Sequence, residues 1–100
     1  MLKITGVQVE AARVLLRITQ EELGAACGLS ARTISRFELS TRRAPHKANM
    51  EKIATELLKR GIEFTNGTGI GLRLDFEKAK QYRRANRAQD ETSPAPTDDL

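Results

Sequence analysis

The chain has little of what an exported protein, a metalloprotein or an enzyme requires. Among 100 residues there are one cysteine, one histidine, three prolines and no tryptophan. A lone cysteine closes no internal disulfide, and one cysteine with one histidine makes no zinc site, so no metal or cofactor is expected. Cys27 reads instead as a small buried apolar residue. His46 reads as a surface residue near a helix start, with a phosphate contact as the alternative. No apolar run exceeds three residues, which excludes a membrane span and the apolar centre of a secretory signal and leads us to expect an intracellular protein. The aromatic residues are Phe37, Phe64, Phe76 and Tyr82, poor material for stacking on unpaired bases. No nucleophile, base and orienting group stand at a recognisable spacing, so no catalytic residue is assigned and no enzyme is expected. Gly67-Thr68-Gly69-Ile70-Gly71 follows Asn66 as a hairpin turn would and opens no helix, so it is read as a turn and not as a phosphate cradle.

What is present is positive charge, unevenly spread. The formal net charge is +4, but residues 1–65 carry 11 basic and 7 acidic side chains, residues 66–89 carry 6 and 2, and residues 90–100 carry 0 and 4. A chain of this length makes one small domain with one modest core. Its body is more basic than the total suggests, which favours a polyanionic partner.

The densest information lies between Gln20 and Leu39. Leu23 and Cys27 fall on one side of a first short helix, Ile34 and Phe37 on one side of a second, and those sides can meet. Gly24 and Ala26 allow close approach, Gly28 suits a left-handed turn, and Ser30 can cap the second helix. Thr19 with Glu22 three residues on is a capping-box start signal. With Ile34 and Phe37 inward, a rotation of about 100° per residue turns Ala31, Arg32, Ser35 and Arg36 outward. A mainly α fold of four or five helices with a short C-terminal β-hairpin is expected.

This pattern resembles the helix-turn-helix regulators of the lambda-repressor and Cro type, the XRE family, over roughly residues 5–64. Leu23, the small residue at 24, Gly28 and the apolar residues Leu29, Ile34 and Phe37 match its twenty-residue motif. Arg13 and Glu38 stand where the family has a partly buried ion pair, so the resemblance implies a structural role for both. It also implies double-stranded DNA as partner, with base contacts from the outward face of the second motif helix. Arg32 and Arg36 are the candidates for guanine edges, Ala31 for a thymine methyl, and Ser35 for adaptable contacts. Gln20, Thr33, Thr41, Arg42 and Arg43 are the phosphate candidates. The chain departs from the pattern at Ser40 and Arg17, where glycine is common. A serine forced to positive φ would add a cost of about 1 kcal/mol. At Leu39 a polar residue is common, and no DNA contact is assigned to it.

Around the motif, a first helix is expected after Thr5, which caps with Gln8, with an apolar stripe of Val7, Ala11, Val14, Leu15 and Ile18. A helix over about Lys47 to Arg60 carries Met50, Ile53, Ala54, Leu57 and Leu58, and Gly61 ends it. The period then becomes two: Ile62 and Phe64, then Asn66-Gly67, then Ile70, Leu72, Leu74 and Phe76. This strand face could cover its own helices or pair with the same strand of a second copy. We expect the second, because dimeric DNA readers need a two-fold interface, and Ile70, Leu72, Leu74 and Phe76 are then the dimer-interface candidates. The organisation expected is a DNA-binding domain over 1–65, a hairpin extension over 66–76, and a basic helix followed by an acidic tail over 77–100. In that helix Arg83, Arg84 and Arg87 are either solvated or in reach of phosphates, and Asp90 to Leu100 is expected to be disordered.

The function expected is a sequence-specific, double-stranded DNA-binding transcriptional regulator, a homodimeric repressor reading an inverted repeat. It would be cytoplasmic and nucleoid-associated. The alternatives are an antitoxin-type autorepressor, an activator, or an adaptor that keeps the fold without binding DNA. A regulatory protein partner is left open.

Overall fold

A computed structural model describes residues 4–40 and 47–87. Its elements are α1 (Gly6–Leu16), α2 (Gln20–Cys27), α3 (Ala31–Leu39), α4 (Lys47–Lys59), β1 (Ile62–Thr65), β2 (Gly71–Leu74) and α5 (Phe76–Arg87). The expected mainly α architecture with a C-terminal hairpin is what forms. Thr41, Arg42, Arg43, His46 and the tail from Asp90 to Leu100 lie outside the described residues, as does the side chain of Arg87.

Local chemistry sets the helix ends. Thr5 and Gln8 form a complete capping box, as do Thr19 and Glu22, and the Ser30 hydroxyl accepts from the Thr33 N–H; each such cap satisfies backbone donors that the first turn leaves free. Gly28 closes α2 in the left-handed region at φ 76°. The end of α1 is closed by Arg17, at φ 58°, while Ser40 is extended at φ −69°. Of the two departures from glycine, strain thus falls on Arg17 and none on Ser40.

Val9, Ala12, Leu23, Ile34, Phe37, Met50, Ile53, Ala54, Leu57 and Ile62 form one buried cluster. The apolar side of α1 that enters it is not the stripe read from sequence. Val7, Val14 and Leu15 are 61%, 65% and 47% exposed, whereas Gly6, Val9 and Ala12 are buried. Close approach explains the rotation: a Cβ on Gly6 would collide with the carbonyls of Phe37 and Glu38. α1 therefore turns its smaller side chains to α3, since only they let the two backbones meet. On α4, Leu58, which the sequence reading placed on the apolar stripe, is exposed, and Glu56, which that reading did not include, is buried. The Glu56 carboxylate stays inside because Arg60 Nε at 2.7 Å and the Tyr82 hydroxyl at 3.1 Å donate to it, with Lys59 3.4 Å away.

The hairpin pairs Ile62 with Leu74 and Thr65 with Gly71, leaving a loop over 66–70 that is longer than the two-residue turn Asn66-Gly67 suggests. Phe64, Leu72 and Leu74 lie against the domain's own core. Of the strand face that we expected to be offered to a second copy, Leu72 and Leu74 are thus used at home, whereas Ile70 and Phe76 remain exposed. Phe76 is the first residue of α5 and not a strand residue. Gln8 fastens the hairpin to α1. Its carboxamide Nε2 donates to the carbonyls of Thr65 and Gly71 and to Asn66 Oδ1, at 3.2, 3.0 and 3.0 Å, while its Oε1 accepts from the Thr5 N–H. α5 packs back on α4 through buried Ala79 and Tyr82, whose ring lies 4.8 Å from the Arg60 guanidinium. Gly61, at φ 104°, permits that contact, because a Cβ there would stand 2.9 Å from the Ala79 nitrogen.

Candidate nucleic-acid interface

α2 and α3 pack closely, and their crossing depends on Gly24. A Cβ there would lie 2.6 Å from the Leu29 carbonyl, so only glycine lets the turn fold back this tightly. Ile34, Phe37 and Glu38 are buried on the inner side of α3. That rotation sends Arg32 and Arg36 into solvent, with Ala31 and Ser35 half-buried beside them. Neither guanidinium makes a hydrogen bond or ion pair among the described residues. Leu39, 76% exposed, lies on the same outward side. The sequence reading assigned it no DNA contact because a polar residue is common there; its place beside Ser35 and Arg36 on a 3.6-residue wheel is what puts it on that side.

One carboxylate holds the three N-terminal helices together. Glu38 accepts from Arg13 Nε at 2.8 Å and Nη2 at 3.1 Å, and from Gln20 Nε2 at 3.0 Å. Arg13 Nη1 also donates to the Ile18 carbonyl at 3.2 Å. The Glu38 side chain is 4% exposed and that of Arg13 18%. Donation of hydrogen bonds to the Glu38 carboxylate raises the Arg13 pKa above its ordinary value, against a smaller opposing effect of burial, so the guanidinium keeps its charge. Arg13 and Glu38, which the family resemblance pairs, thus lie 2.8 Å apart.

The phosphate candidates are less uniform. The carboxamide of Gln20 is committed to Glu38, which leaves its backbone N–H, in the first turn of α2, as the group free to meet an anion. Thr33 is half-buried with its hydroxyl 3.0 Å from that of Ser30. Arg17, which sequence reasoning did not include, is exposed and lines an open depression of about 590 Å³ with Arg13, Thr19, Gln20, Glu21 and Ala31. The depression joins the start of α2 to the start of α3. Cys27 is half-buried against the core, and burial pushes its thiol up to about 11. It is an apolar filler and not a nucleophile at neutral pH.

Among the described residues no cluster of three or more His, Cys, Asp or Glu could hold a metal ion, and no helix is long and apolar enough to cross a membrane.

Two short helices locked at a glycine crossing, the second presenting a basic outer face, define a helix-turn-helix module. A family model for the helix-turn-helix domain, HTH_3, matches residues 9–59. The chain belongs to that family, whose lambda-repressor/Cro-like or XRE members are DNA-binding regulators of transcription. No curated protein matches the chain.

Proposed function

We propose that the protein is a sequence-specific regulator that reads double-stranded DNA through α3 and represses transcription as a homodimer on an inverted repeat. The observation that carries this reading is the exposed pair Arg32 and Arg36, without side-chain partners among the described residues and one helical turn apart on a helix whose other side is buried. The major groove admits one helix, and a guanidinium is the side chain best matched to guanine O6 and N7. Ala31 and Ser35 sit where a thymine methyl and a variable edge can be met, and Leu39 adds apolar surface to the same face. Arg17, the first N–H groups of α2 and Thr33 fix the register on phosphates. Thr41, Arg42 and Arg43, in the connection to α4, and Arg83, Arg84 and Arg87 on α5 are further phosphate candidates. A two-fold dimer would set its recognition helices about 34 Å apart, one turn of duplex. Such a protein bound at a promoter excludes polymerase, and it works in the compartment that holds the chromosome.

Selection of bound duplexes from a random pool tests the reading. The expected result is a symmetric site, with Arg32→Ala losing discrimination at one base position per half-site, worth about 1–3 kcal/mol. Uniform weakening over all sequences would reassign Arg32 to phosphate. No salt-sensitive binding to any duplex would overturn the reading in favour of an adaptor.

A further inference from the structure

α5 holds cations that its own domain leaves without counter-charges. Ala79 is buried and Tyr82 and Asn86 are half-buried on the side of α5 that meets the domain. Lys80, Arg83 and Arg84 are exposed, at the i, i+3, i+4 spacing of a single face. None of the three makes a hydrogen bond or ion pair among the described residues. The neighbouring cations differ: Lys59 and Arg60 share Glu56, and Arg73 and Lys78 share Glu63. The acid on α5 itself is Glu77, in its first turn.

The missing counter-charge stands next in the chain. Residues 66–89 carry 6 basic and 2 acidic side chains, whereas residues 90–100 carry no basic ones and 4 acidic ones, Asp90, Glu91, Asp98 and Asp99. The two stretches are therefore +4 and −4, and they cancel. Length suits the pairing. From Lys80 to the end of α5 at Arg87 is about 10 Å of helix axis, a distance that about three extended residues span. Asp98 and Asp99 lie far enough beyond Arg87 to reach Lys80 after a reversal within Ser93-Pro94-Ala95-Pro96. A single exposed ion pair is worth little, but carboxylates held on one short tether act together, at an effective concentration in roughly the millimolar range.

We propose that the acidic segment 90–100 folds back on the exposed cations of α5 and occupies that face until a polyanion displaces it. The contact itself does not depend on DNA; its effect as a brake on phosphate contacts by α5 rests on the reading above. The test neutralises the segment in the full chain, with Asp90→Asn, Glu91→Gln, Asp98→Asn and Asp99→Asn together. Without DNA and at low salt, the amide NMR signals of residues 80–84 should shift between wild type and this variant, and about 0.5 M salt should remove the difference. No shift on α5, or shifts that fall on α3 and not on α5, would overturn the proposal. With a random-sequence duplex as probe, neutralising the segment should tighten binding about three- to tenfold at low salt and steepen its salt dependence. Lys80→Gln, Arg83→Gln and Arg84→Gln combined should abolish that gain. An equal gain without those cations is the mark of diffuse repulsion and would overturn the docking. If no form of the protein binds the duplex, the DNA reading falls, and the NMR comparison alone decides the proposal.

Discussion

Arg13 and Glu38 lie 25 residues apart and meet in a two-pronged ion pair with Gln20 on the same carboxylate. α1, α2 and α3 are thus tied at one point directly beneath the recognition face. Glu38→Ala should lower stability by about 3–5 kcal/mol, because it strands a mostly buried guanidinium. Urea unfolding measures this. A loss below about 1 kcal/mol would remove the pair from any structural role.

Arg17 holds a left-handed backbone at φ 58° without being glycine. Arg17→Gly should therefore raise stability by about 1 kcal/mol by relieving that strain. The same change removes a cation from the depression beside α2, so DNA binding should weaken and its salt dependence should flatten by about one charge. Stability and affinity moving in opposite directions is the signature. A variant that is both stabler and equally tight would release Arg17 from phosphate.

Glu56 anchors α5. Burial by itself would raise its pKa, but hydrogen bonding and charge from Arg60, with the Tyr82 hydroxyl and Lys59, hold it below the ordinary 4.5. A carboxylate depressed in the fold contributes stability that is complete above its unfolded value and is lost as pH falls through the folded one. Tyr82→Phe should cost about 1 kcal/mol near neutral pH, and the deficit should shrink once Glu56 is protonated. Chemical denaturation at pH 7 and in acid checks the sign; a deficit that does not change with pH would sever Tyr82 from Glu56.

Cys27, with its thiol raised to about 11 mainly by burial, should react slowly with iodoacetamide at neutral pH. Its alkylation should accelerate sharply across the urea transition. Rapid modification of folded protein would place the thiol in solvent.

The features legible in the sequence are those decided within a few residues. Thr5 with Gln8, Thr19 with Glu22, Ser30, Gly28 and Gly61 each announce a helix end because the cap and the groups it satisfies are near neighbours. The ion pair of Arg13 and Glu38 was legible only through family resemblance. The rotation of α1 was not legible: its sequence offers two apolar faces, and the choice lies in backbone approach at Gly6 to residues 37 and 38. Nor was the burial of Glu56, which a tyrosine 26 residues away helps Arg60 to satisfy. On the candidate site, the outward turn of Arg32 and Arg36 followed from Ile34 and Phe37, whereas the diversion of the Gln20 side chain to Glu38 depended on tertiary contact.

Gln8 has a consequence for how the chain avoids misfolding. A four-residue ribbon with few distinguishing side chains can slip along its partner, and a slip of one position would turn Leu72 and Leu74 to water. Only one alignment delivers the Thr65 and Gly71 carbonyls together to a single amide group. An interior glutamine therefore works as a gauge: it charges every wrong alignment the cost of an unsatisfied polar group and leaves the native one free of it.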